Sequence, residues 1–251
     1  MEAYNSLYNI VTIIFVFLFG ISFGSFMNVL IYRIPEGISV INPPSKCPVC
    51  ENELKWYHNI PIFSWLFLGG KCGFCKTKIS AQYPIIEFIN GLLWVVIFLK
   101  VGLVWYLPFI MLSFSMLLSL SMIDFKYHAV PDNLNFAALI FALINPNFLN
   151  SLRDGVIAAF ALWLLGFIVS KLAKKEALGE ADIIVAGTMA ALLGFPGFFI
   201  AMFLSAILAI VPSILAKDTV VPFVPFLALA TFITYIFKNE LILLLGKMIY
   251  G

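Results

Sequence analysis

The sequence predicts an all-α polytopic membrane protein with about eight transmembrane helices and a small metal-binding module between the first two. The chain of 251 residues is 63% hydrophobic and only 11% charged, against about 25% charged residues in a soluble domain. Its mean hydropathy of +1.05 indicates that lipid surrounds most of the protein. All four cysteines lie in two CxxC pairs within the only long hydrophilic segment. The net charge of +2 gives no indication of a nucleic-acid partner.

Apolar runs define the predicted spans, which are interrupted by short polar or Pro/Gly-containing segments. They cover residues 10–32, 84–99, 103–123, 133–146, 155–170, 182–194, 197–216 and 221–237. Several are shorter than the ~20 residues that a perpendicular helix needs, so we expect these to be tilted, re-entrant or flanked by interfacial aromatic residues. Because Glu2 is the only charge before the first run, that run lacks the basic start of a cleaved signal peptide, and we expect a retained helix.

These runs divide the chain into three predicted parts. Residues 1–32 form the first transmembrane helix, residues 33–83 form a tetracysteine module, and residues 84–251 form a transmembrane core. The hydrophilic module is punctuated by Pro43-Pro44 and Gly69-Gly70, which are typical of turns.

Basic residues predict the orientation of the chain in the membrane. With alternating spans, eleven of the fifteen Lys and Arg residues lie on the side of the tetracysteine module: Arg33, Lys46, Lys55, Lys71, Lys76, Lys78, Lys126, Lys171, Lys174, Lys175 and Lys217. Four lie on the other side: Lys100, Arg153, Lys238 and Lys247. The positive-inside rule predicts that the richer side is cytoplasmic, with the amino terminus outside.

The cysteine spacing predicts a structural zinc site. Cys47-Pro-Val-Cys50 and Cys72-Gly-Phe-Cys75 each present two thiolates from one tight turn, and together they supply four sulfurs for a tetrahedron. Four protein ligands leave no open position for water or substrate. A disulfide framework is the alternative, and a cytoplasmic location disfavours it because the cytoplasm is reducing.

Two carboxylates lie at predicted span ends. Asp124 ends the third span and Asp182 begins the sixth, so alternating spans place both at the cytoplasmic boundary. A close pair of aspartates keeps one proton between them, which provides a general acid and a general base for peptide hydrolysis. The residues alone leave simpler roles open: Asp182 could cap its helix, and Asp124 could pair with Lys126 at the interface.

Several motifs, in order along the chain, carry a family resemblance. They are Phe23 to Pro35, the paired CxxC turns, Tyr83 to Glu87 with Gly91, Ile123-Asp124 followed by Pro131-Asp132, and Val221 to Leu229. With these motifs the chain resembles the type IV prepilin leader peptidases, bifunctional inner-membrane enzymes of pilus and type II secretion systems. Two positions depart from the family pattern. Ala181 replaces the second glycine of Gly-x-Gly-Asp, and Val224 replaces a glycine of the late proline-rich block.

The resemblance implies a function and a set of site residues. It implies that Asp124 and Asp182 are catalytic and that a prepilin or pseudopilin is cleaved after a glycine at the cytoplasmic face. It also implies N-methylation of the new amino terminus with S-adenosylmethionine, and it points to Glu87 and Gly91 for the methyl donor. From the residues alone, Gly91 could instead serve helix packing and Glu87 could pair with Arg33 or a lysine. The oligomeric state is not predicted.

Other functions fit the sequence less well. An intramembrane aspartyl protease of the presenilin or preflagellin-peptidase kind would lack the tetracysteine module. A zinc metalloprotease is disfavoured because no His-Glu-x-x-His is present. A non-enzymatic zinc-pinned scaffold or an ion or proton transporter would place acidic residues near mid-span, whereas Asp124 and Asp182 are predicted near one boundary.

Overall fold

The computed structural model describes residues 2–174, 179–215 and 221–250, and its regular elements over these residues are helices. In chain order they are α1 (Glu2–Arg33), a 3-10 turn (Trp56–Asn59), α2 (Phe63–Phe67), α3 (Gln82–Val101), α4 (Leu107–Tyr127), α5 (Asp132–Leu143), α6 (Phe148–Ala173), α7 (Glu180–Leu215) and α8 (Val224–Tyr250). The predicted all-α membrane fold class is confirmed. Lys175 and Lys217, which contributed to the predicted orientation, lie outside the described residues.

The number of full-length spans differs from the prediction. Over the described residues, six helices are long and apolar enough to cross a membrane: α1 from Ile10, α3, α4, α6, α7 and α8. The predicted run 182–194 and the described part of the run 197–216, up to residue 215, both lie in α7, and the run 133–146 corresponds to α5. The 12 residues of α5 give a helix only about 18 Å long, against a hydrocarbon thickness of about 30 Å.

The chain divides into two compact units, Met1–Leu103 and Val104–Gly251. The first holds α1, the tetracysteine module and α3, and the second holds α4 to α8. The three predicted functional parts stay a prediction.

In the first unit, α1 and α3 form a close antiparallel pair built on small residues. A Cβ atom added to Gly20 would lie 2.8 Å from the Gly91 Cα, and one added to Gly24 would lie 2.7 Å from the Glu87 Cα. The Asn90 side chain donates to the Gly20 carbonyl at 2.7 Å. Glycines let the helix backbones approach closely where lipid provides no hydrophobic drive for association.

In the second unit, α7 folds back on itself at Gly194, whose φ of 69° and ψ of 172° are not helical. If the helix ran straight, Leu215 would lie about 50 Å from Asp182. Val224, however, is hydrogen-bonded to Asp124, which is within electrostatic range of Asp182. The nine residue steps from Leu215 to Val224 can reach only about 31 Å, so the second half of α7 returns toward the end at which the helix began.

The packing around the break supports this reversal. A Cβ atom added to Gly197 would lie 2.9 Å from the Leu193 Cβ, whereas positions four apart on a straight helix are about 5–6 Å apart. The Lys238 ammonium donates to the Leu193 carbonyl. That bond satisfies a backbone acceptor that the break releases.

Candidate active site and metal centre

Asp124 lies in the last turn of α4 and is buried, with 7% of its surface exposed. Its carboxylate accepts a hydrogen bond of 3.1 Å from the backbone N–H of Val224, the first residue of α8. The first N–H groups of a helix have no partner within the helix and carry a partial positive charge. The start of α8 therefore stabilises negative charge on Asp124.

The turn after Asp124 reverses the chain beside this carboxylate. His128 ends α4 in the left-handed conformation, with φ of 49°, and its N–H donates to the Asp124 carbonyl at 3.0 Å. The His128 side chain is within electrostatic range of the Asp124 carboxylate. The imidazole is exposed and therefore lies at the surface of this end of the unit.

Asp182 is the third residue of α7 and is fixed by the turn that starts this helix. Its N–H donates to the Gly179 carbonyl at 3.1 Å, and its carboxylate accepts from the Gly179 N–H. This exchange resembles one half of a capping box. Ala181 lies in the first turn of α7, outside the positions with positive φ. The alanine that departs from the family pattern therefore meets no backbone requirement for glycine.

Asn135 of α5 holds the peptide group that precedes Asp182. The side chain of Asn135 is fully buried, and its Nδ2 donates to the Ala181 carbonyl at 2.9 Å. Its Oδ1 is also buried and has no hydrogen-bond partner among the described residues. Asn135 is not among the site residues that the sequence predicts. A polar side chain inside the short apolar helix that follows Pro131-Asp132 was the available signal.

The two aspartates share one end of the second unit, as predicted from the alternation of spans. Their carboxylates are close enough to repel each other when both are charged. Among the described residues, neither forms an ion pair. Two neighbouring carboxylates that no ion pair compensates favour a state in which one is protonated and the other is charged. Such a pair can act as general acid and general base together.

A second polar site lies at the other end of the same unit. A cavity of about 380 Å³ is lined by residues that include Tyr106, Asn145, Asp154, Gly194 and Lys238. Gly194 is twelve residues along α7 from Asp182, or about 18 Å. Asp154 is 7% exposed, and its carboxylate binds the neighbouring Arg153 guanidinium at 2.8 Å. The carboxylate at this end is therefore neutralised by a cation.

The four predicted zinc ligands meet in the first unit. The Sγ atoms of Cys47, Cys50, Cys72 and Cys75 all lie within 4.8 Å of one another, and those of Cys47 and Cys75 are 3.8 Å apart. Sulfurs bound about 2.3 Å from one zinc ion in a tetrahedron are about 3.8 Å apart. All four thiols are free of disulfides. The donor set and its spacing fit a tetrahedral zinc ion.

The two CxxC pairs lie in separate backbone turns that have the same hydrogen-bonding pattern. The Cys47 N–H donates to the Asn52 carbonyl at 3.0 Å, and the Cys72 N–H donates to the Thr77 carbonyl at 2.8 Å. The backbone N–H groups of Cys50 and, to a smaller extent, Val49 lower the pKa of the Cys47 thiol to about 6. The second turn lowers the pKa of Cys72 in the same way. Both turns therefore favour the thiolate form of their first cysteine, which is the form that a metal requires.

The two residues predicted for the methyl donor lie in the α1–α3 contact. A Cβ atom added to Gly91 would lie 2.7 Å from atoms of Phe17 and Ile21. Glu87 is 6% exposed, and its carboxylate accepts from the backbone N–H of Ile62 at 2.6 Å. Packing thus accounts for both residues, and their role toward a methyl donor stays a prediction.

Comparisons with known families cover most of the chain. Residues 18–101 match the bacterial peptidase A24 N-terminal domain, and residues 111–214 match the type IV leader peptidase family. No solved structure gave a significant match.

Three curated relatives of the chain share one name. A prepilin leader peptidase/N-methyltransferase of Aeromonas hydrophila is 31% identical over 90% of this chain and 91% of its own length. A protein of the same name from Stutzerimonas stutzeri is 28% identical over 88% of this chain and 89% of its own length. One from Myxococcus xanthus is 33% identical over 67% of this chain and 52% of its own length. The chain is therefore a membrane-embedded enzyme that belongs to the type IV leader peptidase family.

Proposed function

We propose that this protein removes the leader of type IV prepilins or pseudopilins, cleaving after a glycine, with Asp124 and Asp182 as its catalytic pair. The observation that carries the proposal is the position of two carboxylates at one end of one helical unit, without an ion pair among the described residues. Relatives named prepilin leader peptidase/N-methyltransferase support the substrate class.

The chemistry of the step follows from a shared proton. The charged carboxylate removes a proton from a water molecule, whose oxygen attacks the carbonyl carbon of the scissile glycine. The protonated carboxyl then donates its proton to the leaving amine as the C–N bond breaks. The Val224 N–H at Asp124 and the Gly179 N–H at Asp182 keep each carboxylate in place during this exchange.

The proposed location is the bacterial inner membrane, with the active site and the tetracysteine module on the cytoplasmic side. The distribution of Lys and Arg supports this orientation, with eleven on the module side and four on the other. A prepilin would keep its hydrophobic helix in the bilayer while its basic leader stays at the cytoplasmic face. A catalytic pair at a helix end would then meet the junction between the two.

We also propose a structural zinc ion at Cys47, Cys50, Cys72 and Cys75, and a second activity on the cleaved product. S-adenosylmethionine, when bound, would supply a methyl group to the new terminal amine. Replacing Cys47 and Cys72 by serine is expected to abolish zinc binding and to expose residues 34–81 to limited proteolysis, because metal binding and folding are coupled in such modules. Zinc content that is unchanged in this variant would contradict the assignment.

The proposed function is tested by mass spectrometry of a prepilin incubated with the purified protein in nanodiscs. Cleavage after the leader glycine by the wild type, lost in both Asp124→Asn and Asp182→Asn, is the expected result. With S-adenosylmethionine added, the mature fragment should gain one methyl group. Cleavage that survives either substitution would remove that aspartate from the pair. A folded wild type that cleaves no prepilin would contradict the proposed substrate.

A further inference from the structure

The tetracysteine module carries an unpartnered apolar helix face. Phe63, Leu66 and Phe67 of α2 are 47%, 59% and 88% exposed. These positions are spaced i, i+3 and i+4, so their side chains lie on one side of the helix. Large apolar side chains on one exposed face indicate a surface that another apolar medium covers.

The other face of α2 is held by the module itself. The Trp65 indole N–H donates to the Ile79 carbonyl at 3.2 Å. A Cβ atom added to Gly70 would lie 2.8 Å from the Trp65 ring. The orientation of α2 is therefore fixed by Trp65, which leaves the face of Phe63, Leu66 and Phe67 turned outward.

A hydrogen bond ties the start of α2 to a membrane-spanning helix. Ile62, immediately before α2, donates its N–H to the Glu87 carboxylate at 2.6 Å. Glu87 is five residues into α3, or about 8 Å along the helix from Gln82. The 20 residues of α3 give a length of about 30 Å, which matches the hydrocarbon thickness. The hydrogen bond to Glu87 thus holds the start of α2 at the same membrane depth as the second turn of α3.

The backbone is strained at Ile62, the residue that donates this hydrogen bond. Ile62 has φ of 62° and ψ of −54°, and the Phe63 N–H donates to the Pro61 carbonyl at 2.6 Å. This is a γ-turn of the rare, strained kind, and a β-branched residue with positive φ is an outlier. Such a conformation persists only when its surroundings hold it. Here the turn aims the Ile62 N–H at Glu87.

We propose that α2 lies in the lipid headgroup region, with Phe63, Leu66 and Phe67 inserted into the bilayer on the module side. Lipid is the occupant that the structure favours, because the Glu87 bond sets α2 at the level of the span and the apolar face is otherwise uncovered among the described residues. Helices of this kind bury their apolar face about 5–10 Å into the boundary between headgroups and acyl chains. The basic residues Lys55 and Lys71 flank the segment and suit anionic headgroups.

The test replaces Phe67 by the photo-crosslinking residue p-benzoylphenylalanine, which keeps an aromatic side chain. The full-length protein is placed in nanodiscs of phosphatidylethanolamine and phosphatidylglycerol, irradiated, and examined by mass spectrometry for lipid adducts. A matched control carries the same probe at Val49, which is 67% exposed on the first CxxC turn. We expect severalfold more lipid adduct at position 67 than at position 49.

The other outcomes would overturn the proposal. Adducts at position 67 with an added prepilin, or with a second copy of the chain, and not with lipid, would assign the face to a protein partner. A probe that reacts with neither would show a face in contact with water. This readout does not depend on catalysis, so a failed cleavage assay and a failed lipid crosslink remain distinguishable.

Discussion

The second unit contains two buried carboxylate sites that differ in how their charge is compensated. Asp124 and Asp154 are each 7% exposed. Asp154 binds the Arg153 guanidinium at 2.8 Å, beside the cavity at the Gly194 reversal. Asp124 instead meets a backbone N–H at 3.1 Å and a second carboxylate, that of Asp182. Burial alone would not distinguish the two sites.

This difference in charge compensation indicates which of the two sites can do chemistry. A carboxylate that binds a guanidinium already has a charge-assisted hydrogen-bond partner. Two carboxylates that repel each other must accommodate a proton, and this is the state that acid–base catalysis uses. We therefore interpret Asp154 as a structural residue and the Asp124–Asp182 pair as the reactive one.

The largest expected effect separates the two sites directly. Replacing Asp182 by asparagine removes one of the two proton-transfer groups, so kcat for prepilin cleavage should fall about 10³-fold or more. Replacing Asp154 by asparagine should leave kcat within a few-fold of the wild type. The measurement is steady-state cleavage in nanodiscs, normalised to folded protein. Equal losses in the two variants would show that the contrast in charge compensation has no catalytic meaning.

Asn135 should have the next largest effect, because it positions Asp182 through the Ala181 carbonyl. Asn135→Ala should lower kcat about 10- to 100-fold, since small misplacements of catalytic groups carry losses of this size, and KM should change little. Ser113→Ala is the matched control, because its buried hydroxyl also binds a backbone carbonyl of this unit, that of Ala138, at 2.8 Å. If the two variants lost kcat equally, Asn135 would have only a structural role.

Gly194 should affect stability and not catalysis. Gly194→Ala places a side chain at φ of 69° and ψ of 172°, a region that is essentially restricted to glycine and costs about 1–3 kcal/mol for other residues. The midpoint of thermal unfolding should fall by several degrees, with kcat per folded molecule unchanged. Gly246→Ala is the control, because a Cβ atom there meets no neighbour within 4 Å. Loss of kcat without loss of stability in Gly194→Ala would link the reversal to catalysis.

Lys238 should have the smallest effect. Lys238→Met leaves the Leu193 carbonyl without its side-chain donor, which is expected to cost about 0.5–1.5 kcal/mol of stability. The unfolding midpoint should therefore fall by a few degrees, and cleavage should persist. The exposed Lys247, replaced by methionine in the same way, should leave the midpoint unchanged. A larger loss in the Lys247 variant would argue against the bond to Leu193.

The sequence was sufficient for features that depend on local pattern. The first predicted span, 10–32, matches the spanning part of α1, Ile10–Arg33, because hydropathy is a local property. The cysteine cluster was predictable because each CxxC pair forms its own turn. The alternation of spans placed Asp124 and Asp182 at the same end, although α7 carries two predicted spans in one broken helix.

Contacts between distant residues were beyond local pattern. The Val224 N–H is 100 residues from Asp124, and the Asn135 amide is 46 residues from Ala181. Each bond depends on how helices of the second unit pack against one another. A short stretch of sequence does not contain this information. The Glu87 bond to Ile62 joins residues 25 apart. It was missed because the sequence suggested a cationic partner for this carboxylate rather than a backbone N–H.

The proposed mechanism requires Asp124 and Asp182 to act on the same carbon atom. The direct measurement is the binding of a leader peptide in which a hydroxyethylene group replaces the scissile glycine amide, as a mimic of the tetrahedral intermediate. We expect Asp124→Asn and Asp182→Asn each to weaken binding about 100-fold or more, as for analogues of the transition state, while Asp154→Asn binds like the wild type. Equal affinity of all four proteins for this peptide would contradict the catalytic pair.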